Sequence, residues 1–235
     1  MRDHRYTILS TTSIPAERIP ELPESVSLQM IPFIEITYRN DDQLKKQISL
    51  IAEKKTNVIF TSAHAVKSVL ALLTFKPDWT IYCIRYETRL AIEKGLGNNY
   101  SLKTAENAKA LSELILLDKI QEAVFFCGDQ RMDILPDNLK KNNIALEEVI
   151  VYDTRLTPVR LPFEPDAILF FSPSAVRSFF SMNTISPSAT LFAMGRTTAA
   201  AIKQNTNRPV IISPESDKSF VINMALEYAG SHPIT

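Results

Sequence analysis

Two stretches of this chain repeat each other without a gap. Laid 110 residues apart, residues 57–92 and 167–202 agree at Phe60 and Phe170, Ser62 and Ser172, Ala65 and Ala175, Val66 and Val176, and Ser68 and Ser178. The register continues through Pro77 and Pro187, Thr88 and Thr198, and Ile92 and Ile202. Self-similarity at a fixed offset is the mark of internal duplication, and a period this long implies two similar domains rather than a solenoid.

The repeated unit is readable as α/β structure. In the second copy an apolar run from Ala167 to Phe171 ends in Ser-Pro-Ser and a helical pattern follows; a second run from Thr190 to Met194 ends in Gly-Arg-Thr-Thr before another helix. The first copy predicts strand 57–61, helix 64–73, strand 80–84, helix 87–94, a strand near Tyr100 and helix 105–117. Such alternation argues for a parallel sheet covered on both faces. In open sheets of this kind anions bind where strand C-termini meet helix N-termini, so the hydroxyl-rich turns are the first place to look for chemistry.

A weaker repeat links the N-terminal segment to residues 119–154: at an offset of 116, Ile19-Pro20 falls on Leu135-Pro136 and Ile34 on Ile150. The second of these segments predicts strand 123–127, a Gly128-Asp129-Gln130 turn, a helix from Arg131 to Asn142 and a long strand from 144 to 154. Segment order is therefore A, B, A-prime, B-prime. Each A segment ends in an over-long strand, at 31–38 and 147–154; pairing within each half and a crossing arrangement bridged by those extensions are both open at this level.

Charge and composition exclude several function classes. Lys plus Arg equals Asp plus Glu at 26 each in 235 residues, so no global field draws the chain to nucleic acid. No stretch approaches the length of a membrane span, and the N-terminus has no apolar core or cleavage pattern of a signal peptide, so a cytoplasmic protein is expected. Cys83 and Cys127 sit inside apolar runs and read as buried free thiols. Gly95-Leu96-Gly97 lacks the rest of a dinucleotide fingerprint, and no phosphate-binding loop motif occurs. His4, His64 and His232 are far apart with no metal-ligand spacing, so neither a metal nor a nucleotide cofactor is expected.

Four motifs in order carry a resemblance: FFCGDQRMDILPDNLKKNNIALEEVIVYDT, DAILFFSPSAVRSFF, LFAMGRTTAAAIK and PESDKSFVINMALEYA. Together they resemble the uroporphyrinogen-III synthase family over about Val58 to Ala229. The resemblance implies two flavodoxin-like parallel-sheet domains joined by a two-stranded β-ladder. The first would hold residues 1–33 and 155–235 and the second residues 39–146, with 34–38 and 147–154 as the ladder. It implies cyclisation of hydroxymethylbilane to uroporphyrinogen III, with loss of water and inversion of ring D, in heme biosynthesis. No cofactor is implied, and a monomer acting on this small molecule is expected. Two domains closing over a flexible chain would supply the geometry.

The resemblance places Tyr152 where a donor to the departing hydroxyl is expected; a strand tyrosine packed at the ladder is the plain alternative. Thr197 and Thr198 match cleft residues that bind substrate, although a Thr before a helix is often an N-cap. Ser62, His64, Ser172 and Ser174 line equivalent turns of the two copies as candidate substrate contacts, helix capping being the simpler role of the serines. Gly128 and Arg131 open the helix after strand 123–127, where a cation suits a propionate. Three departures from the family pattern stand out: Arg196 in place of a usual proline, Arg85 in place of a usual glycine, and Ser10-Thr11-Thr12 where an arginine is usual. Arg196 could itself be an added carboxylate partner. The competing functions are a non-catalytic two-domain binder of a small anion and a phosphate-binding regulator, the latter weakened by turns without glycine.

Overall fold

Alternation of β-branched and aromatic residues with helical repeats organises two sheets in the computed structural model, which describes residues 5–231; the candidate histidines His4 and His232 lie outside them. The chain divides into two compact units, residues 1–35 with 155–235, and residues 36–154.

The first unit contains β1 (Tyr6–Ser10), a 3₁₀ turn at Ala16–Arg18 and β2 (Val26–Met30). Its remaining strands come from the far end of the chain: β9 (Ala167–Phe170), β10 (Thr190–Ala193) and β11 (Val210–Ile212). The sheet is all parallel in the order β11-β10-β9-β1-β2, which is the flavodoxin-like order. Alternate residues face opposite helical layers. Ile8, Leu169 and Phe192 pack with Val221, Ile222 and Ala225 of α8 (Lys218–Ser231). Leu9, Ile168 and Phe170 pack with α6 (Pro173–Phe180) and α7 (Arg196–Lys203) through Val176, Phe179 and Ile202. Full burial of each such side chain is worth about 1.5–3 kcal/mol.

The second unit carries β3 (Ile34–Tyr38, which begins at the boundary), α1 (Asp42–Ala52), β4 (Thr56–Phe60), α2 (Ala63–Leu72), β5 (Trp79–Ile84), α3 (Glu87–Leu96), β6 (Ser101–Ala105), α4 (Ala108–Leu117), β7 (Glu122–Gly128), α5 (Ile134–Lys141) and β8 (Ala145–Leu156). Its sheet runs β3-β8-β7-β4-β5-β6. Taken from β8, the five parallel strands repeat the order of the first sheet. Here Phe60, Ile81 and Phe126 face α1 to α3, and Ile59, Tyr82 and Phe125 face α4 and α5. The ladder is not a free-standing pair: β8 is an integral strand, bonded to β7 from Glu122–Ala145 to Gly128–Tyr152, and β3 is added outside it as an edge. An edge suits a strand entered just after Pro32, which has no N–H to give. Cys83 and Cys127 are buried free thiols, and burial pushes their pKa values up to about 12 and about 11.

The duplication holds at the capping serines of the helix starts, though each caps a different amide, and fails at one buried hydroxyl. Ser62 and Ser172 each cap the helix that follows, accepting from the His64 and Ala175 amides. Ser68 and Ser178 are both buried, but only Ser68 has a partner, donating to the Val151 carbonyl at 2.6 Å. An unsatisfied buried hydroxyl costs about 1–3 kcal/mol. Ser178→Ala is therefore expected to leave the thermal midpoint unchanged or raise it. Ser68→Ala is expected to lower it by about 2–4 °C, the shift that follows from losing about 1 kcal/mol in a chain of this size. Equal losses from both changes would count against this reading.

Candidate functional site

The strand order of the second sheet reverses between β4 and β7, and a crevice at such a switch point is where open α/β sheets bind ligands. Four of the candidate residues meet here. The chain leaves β4 through Thr61-Ser62 into α2, which puts Ser62 at the N-cap and His64 in the first turn. β7 ends at Gly128, opposite Tyr152 of β8, with a register shift between Cys127 and Gly128. Such irregularities commonly re-aim a side chain at a sheet end.

Tyr152 lies against Gly128 so closely that a Cβ there would sit 2.5 Å from its Cε2 and Cζ atoms. No other residue type fits that space. The ring also faces His64, with ring centroids 5.7 Å apart, and the imidazole Nδ1 is 3.0 Å from the phenol of Tyr38. Burial raises the pKa of Tyr152, and the nearby Ser62 hydroxyl only partly offsets that. Burial likewise raises Tyr38. Both phenols therefore stay protonated through the neutral range and can donate hydrogen bonds.

Sequence reasoning missed Tyr38, reading residues 34–38 only as a strand of the connecting ladder. The contact joins residues 26 apart through a fold not visible locally. The sole available signal was a tyrosine closing an over-long strand.

Gly128 and Arg131 do not open a helix. Asp129 and Gln130 are instead tied to the end of β8, through Asp129 N to the Tyr152 carbonyl, Thr154 N to Asp129 Oδ1, and Gln130 Nε2 to the Thr154 carbonyl. This holds α5 back to Ile134, with Asp133 at its N-cap. The Arg131 guanidinium donates to both Glu148 and Asp133. Burial pushes Glu148 up, yet its bonds to Arg131 and Lys140 outweigh this and hold its carboxyl below the ordinary range. A propionate would have to displace one of these carboxylates from Arg131.

In the first unit the candidates sit where β9 and β10 end. Ser172 caps α6, and buried Ser174 accepts from Arg177 at 3.0 Å. Thr197 and Thr198 are not caps: Gly195 holds the N-cap position of α7 without a side-chain bond, and the two threonines are the second and third helical residues. Thr197 is exposed, whereas Thr198 is buried like its counterpart Thr88. The amides of Arg196, Thr197 and Thr198 precede the first intrahelical bond, from Ala199 to Gly195, so this terminus offers donors to an anion. In the N-terminal turn the Thr11 hydroxyl is spent on the Leu169 carbonyl and that of Ser10 on the Thr12 carbonyl. At the copy of Gly195, Arg85 pairs with Glu106, and the next residue, Tyr86, takes φ 67°. That region suits glycine and costs a side chain on the order of 1–2 kcal/mol. Among the described residues no three His, Cys, Asp or Glu side chains converge as a metal site, and no helix is long and apolar enough to cross a membrane.

The sequence profile of the family described as uroporphyrinogen-III synthase HemD matches residues 26–221. The chain belongs to the uroporphyrinogen-III synthase family. No curated relative matches it by sequence. Among solved structures, the uroporphyrinogen-III synthetase of Helicobacter pylori superposes with a TM-score of 0.63 at 16% identity, covering 94% of this chain and 99% of that one. A mutant uroporphyrinogen III synthase from the extreme thermophile Thermus thermophilus gives 0.66 at 14% identity, covering 96% and 98%. At these identities the structural likeness carries the fold, and the profile carries the family. Uroporphyrinogen-III synthases are cyclising lyases of heme biosynthesis that act on a small-molecule tetrapyrrole, and this chain is one of them.

Proposed function

We propose that this uroporphyrinogen-III synthase closes hydroxymethylbilane to uroporphyrinogen III, with inversion of ring D, through the Tyr152 cluster. The supporting observation is a half-buried, protonated phenol at a sheet switch point, packed against Gly128 and flanked by His64. The phenol donates to the departing hydroxyl, while the electron pair of the pyrrole nitrogen expels it as water. The electrophilic methylene left behind is attacked by the substituted carbon of ring D to give a spiro intermediate. The older bond from that carbon to the methylene of ring C then breaks, and the freed methylene re-bonds at the unsubstituted α-carbon of ring D, which loses its proton. No net acid is consumed, so the protein has mainly to fold the substrate and exclude water.

Ser172, Ser174, Arg196, Thr197 and Thr198 of the first unit are assigned to the substrate's carboxylates, with the exposed Thr197 hydroxyl and the α7 amides as the leading donors. Gly128 makes room for the catalytic ring. Arg131 holds its neighbouring carboxylates in place. Units 1–33 with 155–235 and 39–146 act as two domains on the ladder 34–38 and 147–154. The enzyme works as a cytoplasmic monomer without cofactor, metal or nucleic acid.

The test is turnover of hydroxymethylbilane read by isomer: the III isomer should dominate, and recovery of only the symmetric I isomer, the spontaneous product, would refute the assignment. Changing Thr197 and Thr198 together to Ala should raise KM about tenfold, as expected for a lost donor to a charged group. Neither caps α7, so the fall in thermal midpoint should be limited to the few degrees that follow from truncating the buried Thr198, with Thr197→Ala alone moving it little. An unchanged KM would remove them from the site.

A further inference from the structure

We propose that Tyr38 is a positioning residue for Tyr152, acting through the His64 imidazole. The inference rests on Tyr152 being the donor to the departing hydroxyl, and it adds a residue that no sequence motif marks.

Three rings stand in contact. The Tyr38 phenol is 3.0 Å from Nδ1 of His64, with the ring centroids 6.0 Å apart, and the other ring neighbour of His64 is Tyr152 at 5.7 Å. A neutral imidazole accepts at Nδ1 from the Tyr38 hydroxyl, which leaves the ring proton on Nε2; a protonated one donates from Nδ1 to the phenol oxygen. In either state the bond sets the rotation of the imidazole. The backbone end of His64 is fixed separately, its amide donating to Ser62. The Ser62 hydroxyl that takes this amide also lies close enough to the Tyr152 phenol to counter part of the rise that burial causes in its pKa. Tyr152 therefore sits in a frame of Gly128 and an oriented imidazole.

The duplicated fold supplies an internal control. By the repeat offset of 110, His64 corresponds to Ser174. The first unit caps α6 with Ser172 just as α2 is capped by Ser62, yet it carries a serine where the second carries the imidazole. The imidazole is thus not a requirement of the capped helix start. Nor is the Tyr38 ring a packing need of the core, since Tyr38 is 42% exposed. A phenol retained there against an imidazole is accounted for by the ring beyond it.

The experiment compares wild type, Tyr38→Phe, Tyr152→Phe and the double variant by steady-state and single-turnover kinetics on hydroxymethylbilane. Thermal unfolding serves as a folding control, and the Tyr152 titration is followed by NMR of ring-labelled tyrosine. Tyr38→Phe should lower kcat about tenfold, the scale of a modest misplacement of a catalytic group, with KM little changed. In the Tyr152→Phe background the same change should cost no more than about twofold, because the group it positions is gone. The Tyr152 titration should move downward, since Tyr38 is among the groups that raise it. Wild-type kinetics together with an unmoved titration would overturn the proposal, and so would losses that multiply fully in the double variant. If the wild type makes no III isomer, the functional assignment fails instead. The NMR titrations of Tyr38→Phe and His64→Gln then decide the coupling alone: a shift in both supports it and no shift in either refutes it.

Discussion

Gly128→Ala should cost this enzyme as much activity as any single change to the tyrosine it touches. The added methyl would lie 2.5 Å from two ring atoms of Tyr152 and 2.8 Å from its hydroxyl. The ring has little room to yield, since it packs on the core beneath α1 to α3 and faces His64. Overpacking of this kind costs about 1–3 kcal/mol, and displacement of the phenol by a fraction of its own width is enough for a rate loss of about 10²-fold. Denaturant unfolding and single-turnover kinetics should show both effects. The cause is steric, because Gly128 is not among the glycines with positive φ. Gly128→Ala/Tyr152→Ala should therefore be no less stable than Tyr152→Ala alone. If the double variant still carries the full penalty, the ring is not what the methyl strikes.

Tyr152→Phe keeps the ring and removes one donor. General acid catalysis is typically worth about 10²–10⁴ in rate, and most when the acid's pKa lies near the working pH. Burial moves this phenol the other way, further above neutrality than an ordinary tyrosine. It is thus a weak acid assisting a departure that the pyrrole nitrogen already drives. The expected loss is at or below about 10²-fold, with the III isomer still formed. Single-turnover rate and isomer ratio decide the matter. A well-folded but inactive Tyr152→Phe protein would mean that proton transfer dominates.

Much of this architecture can be read from periodicity and repetition, and the failures have local causes. Ser62 and Ser172 are visible as helix starts because capping needs only a hydroxyl ahead of a helical pattern. β11 is not, since three residues after Arg208-Pro209 are too few to show a period. The sequence puts the start of α5 too early because helix propensity from Arg131 onward is overridden by the bonds that tie Asp129 and Gln130 to β8. The threonines of α7 read as caps because Gly195 can fill that position with its backbone alone. At the candidate site, Tyr152, Ser62 and His64 are each in view, but not their juxtaposition. Neighbouring strands β4, β7 and β8 bring together residues as distant in sequence as Ser62 and Tyr152. Tyr38 needs the same long-range information and has no motif to announce it.

The split make-up of the first sheet has a bearing on how the chain is born. β1 and β2 are synthesised before the second unit, but β9, the strand that flanks β1 on its other side, begins only at Ala167, and β11 closes the sheet at Ile212. At about 5–20 residues per second, the first strands wait roughly ten to thirty seconds for their partners. During that interval the whole of residues 36–154 can emerge and fold. A ribosome stalled shortly after that stretch has cleared its tunnel should therefore carry a protease-resistant middle and a protease-sensitive β1–β2 segment. The strands made first are among the last to become native, and the nascent β1–β2 pair, with apolar residues on both faces of β1 and an open edge, is the segment for which chaperones have most to do.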